Sequence, residues 1–210
     1  MIIGITGLAG SGKDAVAALL AMQGYVRYAF ADELRREAQA FITAIRDRKE
    51  YGISKEDLTS ALVAYNYEIN SAIWKGEITP EMVWAKPTPP FIRELLQRHG
   101  TEFRRTRDPN YWVGLLMKQI QTNRAMYIDE CTNAGRSVKN EKVTISDVRF
   151  PNEAEAIHNR GGKIWRVVRP GVEPVAAHSS ESGQAEITVD AELLNDGTLY
   201  NLALKVRALL

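Results

Sequence analysis

The sequence contains one cysteine, no long apolar run and almost no net charge. The single cysteine, Cys131, excludes an internal disulfide framework and a zinc site made of several thiolates, and it favours a reducing compartment. No uninterrupted apolar run approaches the roughly 18 residues that cross a membrane. The first residues also lack the basic leader of a signal peptide. These absences predict a cytoplasmic protein with no membrane partner.

The charges nearly cancel, because 27 Lys and Arg residues stand against 26 Asp and Glu residues. A formal net charge of +1 gives no overall positive field that would hold nucleic acid. We therefore expect no nucleic-acid partner, and any anion site must be built locally. The 210 residues are sufficient for one α/β domain with an insertion.

Short β-branched segments alternate with helical spacing at both ends of the chain. The expected strands cover residues 1–6, 25–30, 142–146, 163–168 and 185–189. The expected helices cover residues 14–22, 54–74, 91–103, 111–134, 149–160 and 199–210, and a further helix follows Asp32 as its cap. This order predicts a doubly wound α/β fold with a parallel sheet of about five strands.

The middle of the chain has helical patterns and no confident strand signal. We expect a single domain over residues 1–210, interrupted at about 50–140 by a helical insertion that binds substrate or forms a lid. The basic residues Arg104, Arg105 and Arg107 lie in this insertion. They form either a lid over phosphates or a solvated loop face.

A glycine-rich segment, GLAGSGK at residues 7–13, lies between the first expected strand and the first expected helix. Gly7, Gly12 and Lys13 fit the G-x-x-x-x-G-K frame of a phosphate-binding loop, or P-loop. Glycines permit positive φ angles, and the N-terminus of the helix adds a positive dipole. Lys13 can reach the β and γ phosphates as a point charge. A glycine-rich turn with an incidental lysine is the alternative, but spacing and flanking elements favour the P-loop.

The residue after Lys13 departs from the usual pattern. Asp14 stands where a Ser or Thr hydroxyl normally binds magnesium, and Ala15 follows it. Either Asp14 binds Mg²⁺, directly or through water, or it is a first-turn acid favoured by the helix dipole. Both interpretations stay open.

Asp147 and Arg149 follow a late apolar strand. Ligands of open α/β sheets bind beyond the carboxyl ends of the strands, so this pair should share an edge with the P-loop. Asp147 could orient a substrate hydroxyl or hold magnesium through water, and Arg149 could neutralise charge on a transferred phosphoryl group. A strand-end ion pair or a helix cap is the alternative. Together with the P-loop, the pair favours a functional role.

Six short blocks, in this order along nearly the whole chain, resemble the bacteriophage deoxynucleoside monophosphate kinases. They are GxxxSGKD at 7–14, LLQxxGT at 95–101, DxxYWV at 108–113, DxR at 147–149, VVRPG at 167–171 and NDG at 195–197. Each block is short, but the ordered combination is specific. Almost nothing matches at about 40–90.

The resemblance implies a P-loop NTPase three-layer fold with a helical monophosphate-binding insertion. It implies a kinase that uses ATP and Mg²⁺ to phosphorylate deoxynucleoside monophosphates (dNMPs) to diphosphates, in the cytoplasm of a bacterial host. It places ATP at Gly10, Ser11, Gly12, Lys13, Asp14 and Ala15. It places the dNMP at Leu34, Arg35, Arg93, Gln97, Gly100, Thr101, Trp112 and Asp147. Lys13, Asp147 and Arg149 are then the catalytic residues.

The implied dNMP site makes chemical sense. Arg93 and Gln97 are four residues apart on one helical face, so both can contact one ligand. Trp112 offers a ring for stacking. Glu153, one turn into the helix after Asp147, joins this set as a residue that orients Arg149 through an ion pair.

Two departures and two rival functions remain. Ala15 stands where the family often has Thr, and Glu94 stands where a second basic residue often follows Arg93. The rivals are a P-loop kinase of another small metabolite and an ATP-binding regulatory module without transfer activity. The expected partners are small molecules, and a homodimer is possible because the amphipathic helices could face either the core or a second chain.

Overall fold

This computed structural model describes residues 1–138, 141–173 and 183–210. Five parallel strands among these residues form one sheet. The strands are β1 (Ile2–Thr6), β2 (Tyr25–Tyr28), β3 (Lys142–Ile145), β4 (Lys163–Val168) and β5 (Ala191–Leu194). Their order across the sheet is β2-β3-β1-β4-β5. Gly4 at the centre of β1 pairs with Ile145 of β3 and with Ile164 of β4. The predicted α/β fold with a five-stranded parallel sheet is confirmed.

The strand predicted at 185–189 was wrong. The fifth strand lies at Ala191–Leu194, where it pairs with β4. It is an edge strand in which Leu193 is the buried side chain, so its apolar signal is weak. Ile187 in the predicted segment is buried, but its carbonyl oxygen accepts a hydrogen bond from Arg166. Ile187 therefore contributes to the packing without belonging to a strand.

Helices connect the strands and fill the central region. They are α1 (Lys13–Met22), α2 (Phe30–Asp47), α3 (Lys55–Trp74), α4 (Pro90–Gln97), α5 (Tyr111–Asn133), α6 (Pro151–His158) and α7 (Leu199–Ala208). A 3₁₀ turn covers Pro80–Trp84, and α4 continues into a π-helical segment at Arg98–Arg105. Within the described part of the chain, no helix is both long enough and apolar enough to cross a bilayer.

Two polar residues stand near helix starts, and one of them, Asp32, is the predicted cap of α2. Ser54 caps α3, because its hydroxyl accepts a hydrogen bond from the amide of Asp57 at 3.1 Å. Asp32 does not cap α2, since the helix already begins at Phe30. Asp32 instead lies in the first turn, where the helix dipole favours an acid.

The alternation of β1 shows how the layers form. Ile3 and Ile5 are fully buried in a cluster with residues of α1 and α7. Gly4 points to the opposite face, as successive strand residues do. A Cβ atom at Gly4 would lie 2.8 Å from Ile157 of α6. The sheet therefore has α1 and α7 on one face and α6 on the other, which is a three-layer arrangement.

The described residues divide into two compact units. Unit 1 contains Met1–Phe30 and Val113–Leu210, and it holds the sheet. Unit 2 contains Ala31–Trp112. These limits differ from those of the insertion expected at about 50–140.

Unit 2 has its own apolar core, in which α2, α3 and α4 supply buried side chains such as Phe41, Tyr65 and Leu95. A polar network lies within it. The carboxylate of Glu37 accepts hydrogen bonds from His99, Arg104 and Tyr111. A carboxylate only accepts, so Nε2 of His99 carries a proton and Nδ1 accepts from the hydroxyl of Tyr65. The polar groups of this network are thereby matched to partners, as burial requires.

Burial shifts the pKa values of this network. Burial lowers the pKa of His99 below its ordinary 6.5, so the ring is neutral at pH 7. Burial alone would raise the pKa of Glu37, but hydrogen bonds from His99, Tyr111 and Arg104 outweigh it and lower that pKa. A group whose pKa is lower in the folded state contributes stability that is lost as the pH falls. Acid should therefore weaken unit 2, beginning near pH 6.5 with His99.

We expect the free energy of unfolding to fall from pH 7 to pH 5, by up to about 1.4 kcal/mol per pH unit for the one proton that His99 takes up on unfolding. Urea unfolding followed by tryptophan fluorescence measures this, because Trp74, Trp84 and Trp112 all lie in unit 2. The variant His99→Gln should show a shallower pH dependence. An unchanged slope in His99→Gln would contradict the assignment.

Candidate functional site

The segment at residues 7–13, called the glycine loop below, connects β1 to α1 as predicted. Gly7, Gly10 and Gly12 have φ angles of +140°, +82° and +104°. These angles lie in the left-handed region that side chains rarely adopt, so glycine is required by the backbone itself. Successive turns of this kind expose backbone N–H groups to an anion.

Two of these glycines are also enclosed by other strands of unit 1. A Cβ atom at Gly7 would lie 2.4 Å from the carbonyl oxygen of Val167 in β4. A Cβ atom at Gly12 would lie 2.4 Å from Nδ2 of Asn195, just after β5. Among the residues that the structure describes, and apart from its chain neighbours, Gly10 has no heavy atom within 4 Å of such a Cβ. The loop is therefore held at its two ends.

The side chain of Lys13 folds back over the glycine loop. Its Nζ donates hydrogen bonds to the carbonyl oxygens of Gly7 at 2.6 Å and Leu8 at 2.7 Å. The ammonium group thus lies at the loop, together with the first turn of α1, whose N–H groups have no acceptor within the helix. The side chain of Asp14 is exposed in that first turn, and Ala15 is half-buried. Positive charge and N–H donors converge at one place.

Two buried hydroxyl groups adjoin the same loop. Thr6 at the end of β1 is 0% exposed and Ser11 is 1% exposed. Within the described residues, neither Oγ1 of Thr6 nor Oγ of Ser11 has a hydrogen-bond partner. A buried hydroxyl without a partner is costly. An anion at the loop would give such a donor a role, so the side chains fit a phosphate.

A metal ion at this loop would have few protein ligands. Among the residues that the structure describes, no group of three or more His, Cys, Asp or Glu side chains could hold a metal ion. Mg²⁺ usually keeps several waters and binds one or two carboxylates together with substrate phosphates. The single exposed carboxylate of Asp14 fits that mode.

Asp147 and Arg149 follow β3 at the same edge of the sheet as the glycine loop. β3 pairs with β1, and the amide of Val148 donates to the carbonyl oxygen of Ile5 at 3.0 Å. Oδ1 of Asp147 accepts a hydrogen bond from the amide of Phe30 at 2.8 Å. Neighbouring parallel strands have their carboxyl ends at the same edge of a sheet. The strand order therefore places the glycine loop and residues 147–149, which are about 135 residues apart in sequence, at one edge.

Glu153 holds the backbone beside Arg149. Its Oε2 accepts hydrogen bonds from the amide of Arg149 at 2.8 Å and from the amide of Phe150 at 3.2 Å. Glu153 is 1% exposed, while the side chain of Arg149 belongs to an exposed residue. Glu153 supplies only the glutamate half of a capping box at the start of α6, because the side chain of Phe150 has no atom that could accept a hydrogen bond. Its contact with Arg149 is through the main chain, where the sequence predicts an ion pair with the guanidinium.

The remaining predicted residues lie in unit 2. Arg35 on α2 donates to Oγ1 of Thr88 at 3.2 Å. Arg93 and Gln97 both lie on α4, one turn apart, with Arg93 exposed and Gln97 half-buried. This helix therefore presents a cation and an amide on one side, as the spacing predicts.

Leu34, Gly100, Thr101 and Trp112 pack more closely. A Cβ atom at Gly100 would lie 3.3 Å from Leu34, so α2 approaches the π-helical segment tightly there. Thr101 is half-buried in that segment. Nε1 of Trp112 donates to the carbonyl oxygen of Gly100 at 3.1 Å, and the side chain is 2% exposed. Trp112 is therefore buried against Gly100, and its role in stacking stays a prediction.

The basic cluster is tied into unit 2. Arg104 bonds to Glu37 and to Asp57, the latter at 3.2 Å, and its guanidinium lies 4.2 Å from the ring centroid of Phe103. Arg107 also bonds to Asp57 at 3.2 Å. Arg104 is therefore part of the polar network of unit 2.

Sequence reasoning missed two residues at the glycine loop. Asn195 donates from Nδ2 to the carbonyl oxygen of Ser11 at 2.9 Å. The block at 195–197 was visible in the sequence, but the spacing gave no indication of its contact. Thr6 reads only as the last residue of a strand, and no sequence signal marks its buried hydroxyl.

Two comparisons with known proteins give the same family name. The family model described as "Deoxynucleotide monophosphate kinase" matches residues 55–206. A protein of Acanthamoeba polyphaga mimivirus, named "Putative deoxynucleotide monophosphate kinase", is 31% identical over 203 residues, which is 95% of this chain and 90% of the viral protein. The crystal structure of TT1252 from Thermus thermophilus is 19% identical with a TM-score of 0.44, over 100% of this chain and 95% of its own. The last likeness is too low to indicate a function.

The different surroundings of Gly7 and Gly10 give a test of the loop. Both need a positive φ angle, but a Cβ atom collides with backbone at Gly7 alone of these two. Gly7→Ala should lower the free energy of unfolding by about 3 kcal/mol or more, and Gly10→Ala by about 1 kcal/mol. Urea denaturation of both variants measures the difference. Equal losses would show that Val167 does not confine the loop.

Proposed function

Since the chain belongs to the deoxynucleotide monophosphate kinase family, we propose that it transfers the γ-phosphoryl group of ATP to a deoxynucleoside 5′-monophosphate. The products are ADP and the deoxynucleoside diphosphate. One observation carries the proposal: the glycine loop with Lys13 lies at the same sheet edge as Asp147 and Arg149. Phosphoryl transfer depends on positioning and charge stabilisation, which these groups supply.

ATP is assigned to the glycine loop and the first turn of α1. The binding residues are Gly10, Ser11, Gly12, Lys13, Asp14 and Ala15. Backbone N–H groups with positive φ neighbours cradle the phosphates, and Lys13 exchanges its carbonyl partners for phosphate oxygens. Mg²⁺, held by Asp14 directly or through water, would neutralise phosphate charge when bound.

The chemical step needs three roles from side chains. An oxygen of the acceptor phosphate attacks the γ-phosphorus while the bond to the β-phosphate oxygen of ATP breaks. Arg149 and Lys13 stabilise the charge on the transferred group, and Asp147 helps to place the acceptor. Glu153 fixes the main chain that carries Arg149. No covalent intermediate with the protein is required.

Recognition of the dNMP is assigned to residues of unit 2. They are Leu34, Arg35, Arg93, Gln97, Gly100, Thr101 and Trp112. Arg35 and Arg93 are suited to a phosphate dianion, since guanidinium groups bind it with two parallel hydrogen bonds. Gln97 can donate to and accept from a base edge. Trp112 is buried, and it would act by holding the backbone at Gly100 in place.

A coupled ADP-release assay with ATP and each dNMP in turn tests the proposal. Stimulation by at least one dNMP is expected. Stimulation by none of them would remove the assignment, and stimulation by an unrelated alcohol would favour a kinase of another metabolite. ATP binding without any acceptor turnover would favour a regulatory module.

Arg149→Ala should lower kcat by about 1,000-fold, because the charge of the transferred group loses its stabiliser. The free energy of unfolding should change by less than about 0.5 kcal/mol, as for other exposed side chains. Arg160→Ala, at the other end of α6, removes an exposed arginine that bonds to its own helix and should leave kcat unchanged. An intact kcat in Arg149→Ala would contradict the catalytic role.

Arg93→Ala should raise the KM for the dNMP by about ten-fold or more, since a charged hydrogen bond to phosphate is lost. The KM for ATP should stay the same. Arg36→Ala, an exposed arginine of the same unit, is the control. Equal changes in both KM values for Arg93→Ala would show that Arg93 does not recognise the acceptor.

A further inference from the structure

Residues 195–197 (Asn-Asp-Gly) follow β5, and no step of the proposed function uses them. They lie in unit 1 beside the glycine loop. Asn195 is the member that touches it. Its Nδ2 donates to the carbonyl oxygen of Ser11 at 2.9 Å, and a Cβ atom at Gly12 would lie 2.4 Å from the same nitrogen. The carboxamide therefore lies directly against the peptide bond between Ser11 and Gly12.

This contact fixes the plane of that peptide bond. A trans peptide directs its C=O and its N–H to opposite sides. Because Asn195 holds the carbonyl of Ser11, the N–H of Gly12 must point away from Asn195. Without this hydrogen bond the plane of the peptide is less restricted, since Gly12 at φ +104° has no side chain that would limit its rotation.

Asn195 is itself held rigidly. Its own amide donates to the carbonyl oxygen of Val168 at 2.7 Å, which continues the pairing of β4 with β5. On its other side, Nζ of Lys205 on α7 donates to the carbonyl oxygen of Leu194 and to Oδ1 of Asp196, both at 2.7 Å. The sheet and α7 thus fix the position from which the carboxamide reaches the glycine loop.

We propose that Asn195 is a positioning residue that directs the N–H of Gly12 toward the phosphates of ATP and so sets the affinity for ATP. This rests on the proposed ATP site. It concerns no atom that reacts, and Asn195 acts through the backbone of the glycine loop. The contact is specific in chemistry: the atom facing the Ser11 carbonyl has to be a donor.

The variant Asn195→Asp tests that requirement with almost no change in shape. At pH 8 a carboxylate oxygen replaces the donor and repels the Ser11 carbonyl, so ATP should bind about ten-fold more weakly. At pH 5 a carboxyl group beside a carbonyl is more often protonated, and it can donate again. The deficit relative to wild type at the same pH should therefore shrink. If the substitution had only loosened the fold, the loss of ATP affinity would not become smaller at pH 5.

Binding of Mg·ATP is measured by calorimetry in the absence of an acceptor, at pH 8 and pH 5. Asn201→Asp is the matched control, because it makes the same substitution on the exposed start of α7 and should leave the affinity unchanged. Asn195→Ala, which removes the donor without adding charge, should bind about five-fold more weakly at both pH values. It decides the matter if Asn195→Asp does not fold.

A backbone readout accompanies the binding data. In protein labelled with ¹⁵N at glycine, the amide resonance of Gly12 should move in Asn195→Asp and return toward its wild-type position at pH 5. That of Gly114, exposed on α5, should stay constant.

Three results would overturn the inference. They are wild-type ATP affinity in both Asn195 variants, a deficit in Asn195→Asp that is the same at pH 5 and pH 8, and an unmoved Gly12 resonance. Failure of the kinase proposal looks different. A wild-type protein that binds ATP but phosphorylates no dNMP would refute the kinase activity and leave the role of Asn195 to the binding data. A wild-type protein that binds no ATP would refute both.

Discussion

The backbone of the glycine loop is the constraint on which the other features of unit 1 depend. Gly7 and Gly12 take φ angles that exclude side chains, and at both positions an added carbon would collide with another strand or the loop after it. The loop can keep this path only where β4 and β5 stand in their observed places beside β1. The order of the strands in the sheet therefore determines the path of the loop backbone. The same order places β3 on the other side of β1, and so it determines the position of Asp147 and Arg149, which follow β3.

Local signals in the sequence were sufficient for most of the fold. β1 and β4 are recognisable because β-branched residues fill short runs that end at glycine or proline, and both are central strands buried on two faces. β5 escaped prediction because an edge strand buries little and needs little apolar content. The glycine loop was predictable for a different reason. Its chemistry is backbone chemistry, and glycine spacing records it directly.

The parts of the site that escaped prediction depend on contacts between distant positions. The basic residue Arg104 reads as a surface charge until Glu37 and Asp57 are seen beside it. Trp112 reads as a stacking ring until its burial against Gly100 is known. Glu153 was correctly placed near Arg149, but periodicity cannot distinguish a bond to the guanidinium from a bond to the amide. Composition and spacing give the type of a side chain, whereas its partner is set by the packing.

The bond between Ser11 and Asn195 joins positions that are 184 residues apart. During synthesis on the ribosome, the glycine loop emerges before β5, and its hydrogen bond to Asn195 can form only after β5 has been translated. Until then the glycines of the loop are present in the nascent chain, but the peptide bond between Ser11 and Gly12 is not yet fixed by Asn195. The ability to hold a nucleotide should consequently arise when β5 joins the sheet, and not gradually as the chain lengthens.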